Sequence, residues 1–327
     1  MKKFLLAMMV LGSMLVAQGQ QNDVWTATLQ HGNELTVFRM GNAFVDAYNA
    51  AVDGDVITLS EGTFTGVTIN KSITIYGAGF ENDDVTGTRV SSIGSVNVEG
   101  SISNLHIEGC SMGDFTVNSH NQPTNVESIC VQNCYLSGRV FFYSPTNTVL
   151  GDVLFFRSVI RGAIGSYADV PFTSIRINNC YVGGTIGGFP ALSSVVVDHC
   201  VLSNGGYDPY YYTNDVFANG DIWILDAESV ASNCIFWNYN NTSIHDENCY
   251  YRIGEGMFVD GGGGAYSADR TWELQQPDVW IGNDGTEIGL HGGQGWSKVP
   301  RIPVIKSLGL NVEGPTLKIN YEAEVRE

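Results

Sequence analysis

The chain has 327 residues, 43% of them hydrophobic and 39 of them glycine, with 34 acidic against 16 basic side chains and a formal charge of −18. Such a charge repels phosphate backbones and anionic membrane surfaces, so nucleic acid and membrane insertion drop out as expected partners. It also repels polyuronates unless a cation bridges them, and the length suits either several small domains or one elongated one.

Residues 1–19, MKKFLLAMMVLGSMLVAQG, predict an export signal. Lys2 and Lys3 form the charged start, Phe4 to Val16 is mostly apolar, and Ala17-Gln18-Gly19 offers a small-x-small cleavage site. Gly12 and Ser13 interrupt the apolar run, which is too short for a comfortable membrane span. The expected location is therefore periplasmic, cell-surface or extracellular. Residues 42–53, NAFVDAYNAAVD, predict a helix with Phe44, Tyr48 and Ala51 on one face, stopped by Gly54-Asp55. From there VITLSEGTFTGVTINKSITIYGAG alternates apolar and polar residues between turn signals, as short strands do.

A repeat governs the middle of the chain. Asn-Cys recurs at Asn133-Cys134, Asn179-Cys180, Asn233-Cys234 and Asn248-Cys249, and Ser158 stands where the spacing asks for a further copy. Aligned on the anchors Cys110, Cys134, Ser158, Cys180, Cys200 and Cys234, the chain shows apolar columns. Three residues before the anchor lie Ile107, Val131, Phe155, Ile177 and Val197, and two after it lie Met112, Leu136, Ile160, Val182, Leu202 and Phe236. Spacing by two is a strand period. A unit this short cannot bury its own apolar face, so the copies must stack as a solenoid of parallel strands. The anchors then read as wall: small fillers of an interior column, with Asn133, Asn179 and Asn233 taking a left-handed turn and hydrogen-bonding their stacked copies. Stacked cysteines lie within disulfide reach by Cα distance, yet Ser158 fills the same place alone, so free, buried thiols are expected. The odd cysteine count of seven also leaves at least one unpaired.

After a capping helix, GDVITLSEGTFTG followed by INKSITIYGAG resembles the opening of right-handed parallel β-helix proteins, the pectin-lyase-like class. ASNCIFWN at 231–238, GMFVDGGGGAYSADRTWEL at 256–274 and NDGTEIGLHGG at 283–293 are similar to the closing coils of its secreted bacterial members, many of them from the Bacteroidetes. The resemblance covers roughly residues 40–295. It implies an all-β, right-handed, single-stranded parallel β-helix of about ten coils over residues 20–295 with an N-terminal capping helix. Residues 296–327 then read as a C-terminal strand extension. The class holds lyases, hydrolases and tailspike-like binders, so the fold leaves the activity open.

With the inward columns assigned to packing, function falls on outward columns or on the insertion NGGYDPYYYTNDVFANGD, residues 204–221. Four residues before the anchor stand His106, Cys130, Leu154, Arg176, Val196 and Val230, and two before it Glu108, Gln132, Phe156, Asn178, Asp198 and Ser232. A hydrolase needs two carboxylates roughly 5–10 Å apart. Glu108 and Asp198 share a column four coils apart, about 19 Å, which fits neither hydrolase geometry. Leu154, Phe156 and Val196 predict a face covered by a loop or by the C-terminal strands, or an interaction surface. Tyr135 and Tyr181, one residue after the anchor, could stack on sugar rings, although tyrosine is also ordinary in strands.

In the insertion, Tyr207, Tyr210, Tyr211 and Tyr212 carry recognition chemistry, and Asp208, Asp215 and Asp221 could add polar contacts or a calcium site. The competing reading has this aromatic loop folded back over an apolar face. Asn82, Asp83 and Asp84 are a second place for calcium or, more commonly, solvated turn acids, while Asp284 and Glu287 shape a closing turn. No nucleophile elbow, phosphate-binding loop or His-x-x-x-His pair is present. The expected function is a non-catalytic, exported β-helix that binds a polysaccharide or cell-surface partner or acts as a spacer, with no cofactor beyond calcium. The alternative is a polysaccharide lyase or glycoside hydrolase.

Overall fold

Short strands ending in tight turns stack into a parallel β-solenoid in the computed structural model, which describes residues 25–83, 88–143, 146–166, 170–189, 195–203, 211–213, 215–218, 230–237, 245–261, 264–299, 303–313 and 316–325. The export-signal residues lie outside that set. Coils contribute to three sheets of thirteen, nine and six strands. In the long sheet Leu105, Ile129, Val153, Ile175 and Val195 stand in one column and Ile107, Val131, Phe155, Ile177 and Val197 in the next. Met112, Leu136, Ile160, Val182 and Leu202 align in the second sheet. All are at most 2% exposed, so the apolar columns face inward as the spacing requires. Each such side chain contributes about 1.5–3 kcal/mol by leaving water, and only the neighbouring coils provide the cover.

The stack with all three faces makes about five turns, not the ten expected. Six strands of the third sheet, from Thr68–Ile69 to Ile186–Gly187, set that length. Among the described residues only the other two sheets run further, and the long one ends at His245–Glu247. Dividing the chain by its repeat overcounts because both ends do other work. At the start, Thr26–His31 and Glu34–Arg39 form a hairpin that adds antiparallel to Val56–Leu59. Beside it the helix Ala43–Ala50 buries Ala43, Phe44, Ala47 and Tyr48 and stops where Ala51 becomes extended. The Lys71 ammonium caps its last carbonyls, those of Tyr48 and Ala51, at 2.7 Å each. Together they cover the first coil, and Glu34–Arg39 becomes the terminal strand of the long sheet. At the other end Pro303–Glu313 and Thr316–Val325 pair as a separate antiparallel hairpin.

Part of the segment expected as a loop is wall instead. Tyr211–Thr213 pairs with Val195–Asp198 on one side and Val230–Ser232 on the other, and Val216–Phe217 sits between Val201–Leu202 and Ile235–Phe236. Phe217 stacks on Phe236 with centroids 4.6 Å apart, and Phe236 on Tyr251 at 5.2 Å, close to the spacing of hydrogen-bonded strands.

The turn before each anchor is left-handed: φ is 47° at Asn133, 49° at Arg157 and Asn179, 52° at His199 and 51° at Asn233. Asparagine tolerates that region better than most residues. The anchor then turns inward and joins a hydrogen-bond ladder. Its side chain donates to the carbonyl two residues earlier, as from Cys180 to Asn178 and from Ser158 to Phe156. It also accepts the N–H of the previous coil's anchor. Cys134 N–H reaches Ser158 Oγ at 3.1 Å, Ser158 N–H reaches Cys180 Sγ at 3.4 Å, Cys180 N–H reaches Cys200 Sγ at 3.4 Å, and Cys234 N–H reaches Cys249 Sγ at 3.4 Å. A small side chain with one donor and one acceptor fills both roles, which is why serine replaces cysteine at 158. All seven cysteines are free, and burial pushes the Cys134, Cys200 and Cys234 thiols well up.

Cys180→Ser keeps both roles in the ladder, whereas Cys180→Val leaves the buried Ser158 N–H without an acceptor. The valine variant should be less stable than the serine variant by about 1–3 kcal/mol in urea unfolding. Equal losses would show that the ladder does not stabilise the stack.

Candidate functional site

The left-handed turn column does more than reverse the chain. Its side chains point away from the core and hold a long segment, residues 256–299, against the corner of the stack. Asn179 Nδ2 donates to the carbonyls of Leu290 and Gly292 at 2.9 and 2.8 Å. Arg157 Nε donates to Gly295 at 2.8 Å, its Nη2 donates to Gln294, and Asn133 Nδ2 donates to Ser297 at 2.6 Å. His199 sits 3.0 Å from Asp198 and 3.2 Å from the Thr286 hydroxyl. Asn133 and Asn179 therefore bond to this strap rather than to their own stacked copies, the arrangement expected from the repeat, and Asn233 Nδ2 donates to the Ser232 hydroxyl at 3.0 Å. As the strap advances in sequence it passes back along the coils, from His199 to Asn133.

Apolar contact completes the attachment. Val159, Tyr181, Val201, Val216 and Ile235 on the outer face of the second sheet pack with Met257, Phe258, Trp272, Leu274, Trp280 and Ile288 of the strap. Arg270 locks it locally, with its guanidinium 3.9 Å from the Trp272 ring and bonded to Asp260 at 2.9 Å. Of the segments similar to closing coils, 231–238 belongs to the stack through Val230–Ser232 and Ile235–Phe236, whereas 256–274 and 283–293 lie over the coils and pair within themselves through isolated bridges, Phe258 to Leu274 and Ile281 to Glu287.

The strap folds over itself to leave a cleft of about 770 Å³. Glu273, Asp278, Glu287, Gln275 and His291 supply its polar lining, and Val259, Pro277 and Ile281 its apolar lining. Main-chain bonds set the walls: Val259 N–H to Glu273 at 2.9 Å, Gln275 N–H to Met257 at 3.0 Å, and Ile288 N–H to Trp280 at 2.9 Å. His291 Nε2 donates to the Thr271 carbonyl at 2.7 Å, which fixes its ring at the rim. Burial raises the Glu287 carboxyl above its usual range; His291 and His199 oppose this, while Glu273 and Asp278 push the same way. Asp284 instead does the work expected of a turn acid. Burial acts against its charge, but the Thr286 N–H and hydroxyl, at 3.0 and 2.8 Å, and His199 hold it below the usual carboxylate range. Glu287, expected in the same role, lines the cleft.

The tyrosines expected to offer an open platform are differently placed. Tyr181 is 2% exposed, its hydroxyl bonded to Ser203 and to the Gly264 carbonyl and its ring 5.1 Å from both Tyr266 and Trp272. Tyr135 is half-buried, 5.9 Å from Tyr266. Both rings hold the strap, because the apolar column around them needs a cover. Tyr212 and Asp215 are buried in the stack. Tyr207, Asp208, Tyr210, Asp221 and Asp84 lie outside the described residues, as does the side chain of Tyr211. Among the described residues, no group of three or more His, Cys, Asp or Glu stands ready to hold a metal ion. On the long sheet's outer face Phe156 lies beneath the Arg157 guanidinium at 4.7 Å, Leu154 is half-buried, and Val196 is exposed.

Asp215 occupies an anchor position, where its Oδ1 accepts the Cys200 N–H at 2.7 Å and its Oδ2 has no hydrogen-bond partner. Burial raises its carboxyl well above the usual range. A carboxyl raised on folding costs nothing below its ordinary value and destabilises progressively as pH climbs through that value towards the folded one. Asp215→Asn keeps the acceptor and removes the charge. The variant should therefore gain Tm over the parent at about pH 8 and lose that advantage at about pH 4; a difference independent of pH would contradict the buried acid. No protein-family model, curated protein or solved structure matches the chain.

Proposed function

We propose that the protein is an exported, non-catalytic β-solenoid that binds a neutral or amine-bearing glycan in the strap cleft. The carrying observation is the cleft itself: three carboxylates, an amide and an imidazole converge beside apolar surface from Val259, Pro277 and Ile281. Carboxylates and amides hydrogen-bond sugar hydroxyls, and apolar side chains cover the C–H faces of the rings. Net charge −18 turns away uronates and other polyanions, which narrows the glycan to neutral or cationic types. Export is supported by the Lys2-Lys3 start and the apolar run that follows it. The resemblance to right-handed pectin-lyase-like proteins supports a polysaccharide as the partner, by analogy of fold.

One observation favours a second reading, a glycoside hydrolase. Burial raises the Glu287 carboxyl above its usual range, as the environment of a general acid does. A lyase is less well served, because no Lys or Arg lines the cleft.

A panel of polysaccharides tested for binding, for new reducing ends and for unsaturated products separates these readings. Binding without turnover, weakened about tenfold (~1.4 kcal/mol) by Glu273→Gln with Asp278→Asn, supports the binder. Turnover abolished by Glu287→Gln replaces it with the hydrolase. Absence of both sinks the glycan reading altogether.

A further inference from the structure

Far from the cleft, the outer face of the long sheet gathers a group that neither packing nor the glycan reading uses. His106 and Cys130 are direct partners across two parallel strands, Leu105–Glu108 and Thr124–Gln132. Their neighbours Leu105, Ile107, Ile129 and Val131 point inward, so both side chains point outward. The two side chains therefore stand side by side on adjacent strands. His106 Nε2 also lies 3.2 Å from Glu108 Oε2, and Glu108 is 5% exposed. Gln132 Nε2 donates to the other Glu108 oxygen at 3.5 Å, and the Tyr76 ring packs edge-on to the imidazole at 5.7 Å. A thiol, an imidazole and a buried carboxylate stand in series.

Cys130 differs from the ladder cysteines in its surroundings. It is half-buried, as among them only Cys249 is, and it stands beside an imidazole rather than among backbone groups. It also opens onto a groove of about 180 Å³ lined by Ser128, Asp152, Leu154, Ser174 and Arg176. Burial lowers the His106 value, but the hydrogen bonds and charges of Cys130 and Glu108 outweigh it and push the imidazole up to about 9. A cationic ring therefore faces the sulfur at neutral pH. The groups packed on this ring are Glu108 from its own strand, Cys130 and Gln132 from the next, and Tyr76 from the preceding one. Ser174 Oγ donates to Asp152 at 2.6 Å, which occupies that carboxylate, and Arg176 is the cation along the groove.

We propose that Cys130 is a reactive-thiol site that forms a mixed disulfide with a carboxylate-bearing low-molecular-weight disulfide. The Cys130 thiolate attacks one sulfur of the incoming disulfide, a new S–S bond forms, and the other half leaves as a thiolate. No further oxidant is needed, because the disulfide itself is reduced. His106 stabilises the attacking thiolate, Glu108 holds the imidazole in place, and Arg176 receives the carboxylate of the bound half. The site stands apart from the cleft and does not depend on the glycan reading.

The test uses dithiobis(nitrobenzoate), whose released thiolate is coloured, with uncharged dithiodipyridine as comparator. Native protein should release one equivalent fast, with Cys249, the other half-buried cysteine, reacting later. Cys130→Ser should remove the fast equivalent and Cys249→Ser should keep it. His106→Gln should slow it about tenfold near pH 7 and shift the rate profile to higher pH. Arg176→Ala should slow the charged reagent several-fold and leave the uncharged one unchanged, which separates recognition from general exposure. A fast phase that survives Cys130→Ser, or that ignores His106→Gln at every pH, overturns the proposal. Far-UV circular dichroism of each variant confirms that the stack persists, so loss of the phase cannot be assigned to unfolding.

Discussion

The stack depends on one backbone state, the left-handed residue that follows a strand of the long sheet in coil after coil. With φ near 50° at Asn133, Arg157, Asn179, His199 and Asn233, the chain turns sharply enough to send the next residue inward. That residue accepts the N–H of the neighbouring anchor; a cysteine or serine also donates to a carbonyl, whereas Asp215 supplies the acceptor alone. The same turn sends its own side chain outward, where it meets the strap. One conformational choice, repeated once per coil, therefore sets the interior ladder and the exterior rail together. It costs little per residue where asparagine supplies it, and more at Arg157 and His199. Those two side chains make up the difference through their bonds to Gln294, Gly295 and Thr286.

The strap changes what the outer face of a β-solenoid means here. An outward column of Val159, Tyr181, Val201 and Ile235 would be an apolar patch in water. Covered by Trp272, Phe258 and Trp280 it becomes a second core parallel to the first. The cleft is a by-product of that cover: acids that cannot be buried against the apolar column collect on the strap's far side. The long sheet's outer face, free of the strap over its early coils, keeps His106 and Cys130 within reach of solvent, with Glu108 buried beside them.

The columns were legible because strand spacing is rigid: Ile107 predicts Val131, and Val131 predicts Phe155, with no tertiary knowledge. Coil number was not, since the repeat says nothing about where a strap takes over. Asp215 was misassigned to a loop because its coil is shorter than the others and its anchor is an acid, which the alignment on cysteine passed over. Whether Tyr181 is a platform for sugar rings or an ordinary strand residue stays open in the sequence, because an outward tyrosine looks the same there whether wet or covered. The strap bonds chiefly through main-chain carbonyls, at Leu290, Gly292, Gly295 and Ser297, and carbonyls leave no trace in side-chain patterning. The cleft inherits that invisibility, so Glu287 looked like a turn acid. His106, Glu108 and Cys130 did appear in the outward columns. His106 and Cys130 are neighbours in one column, while Glu108 belongs to another, and nothing in the spacing shows that its carboxylate turns back to the imidazole.

The direction of the strap has a consequence for assembly. Its contacts close loops of 87 residues at His199 and Thr286 and 164 at Asn133 and Ser297. Contacts so distant in sequence form late, after the local pairing of adjacent coils. A chain that emerges from its N-terminus builds the rail before the segment that docks on it exists. In that interval the column from Val159 to Ile235 stands uncovered, an adhesive stripe along five of the nine strands of the second sheet. The protein therefore passes through a half-finished state whose stickiness is a matter of timing, and docking of the last segment ends its availability to chaperones or sister chains.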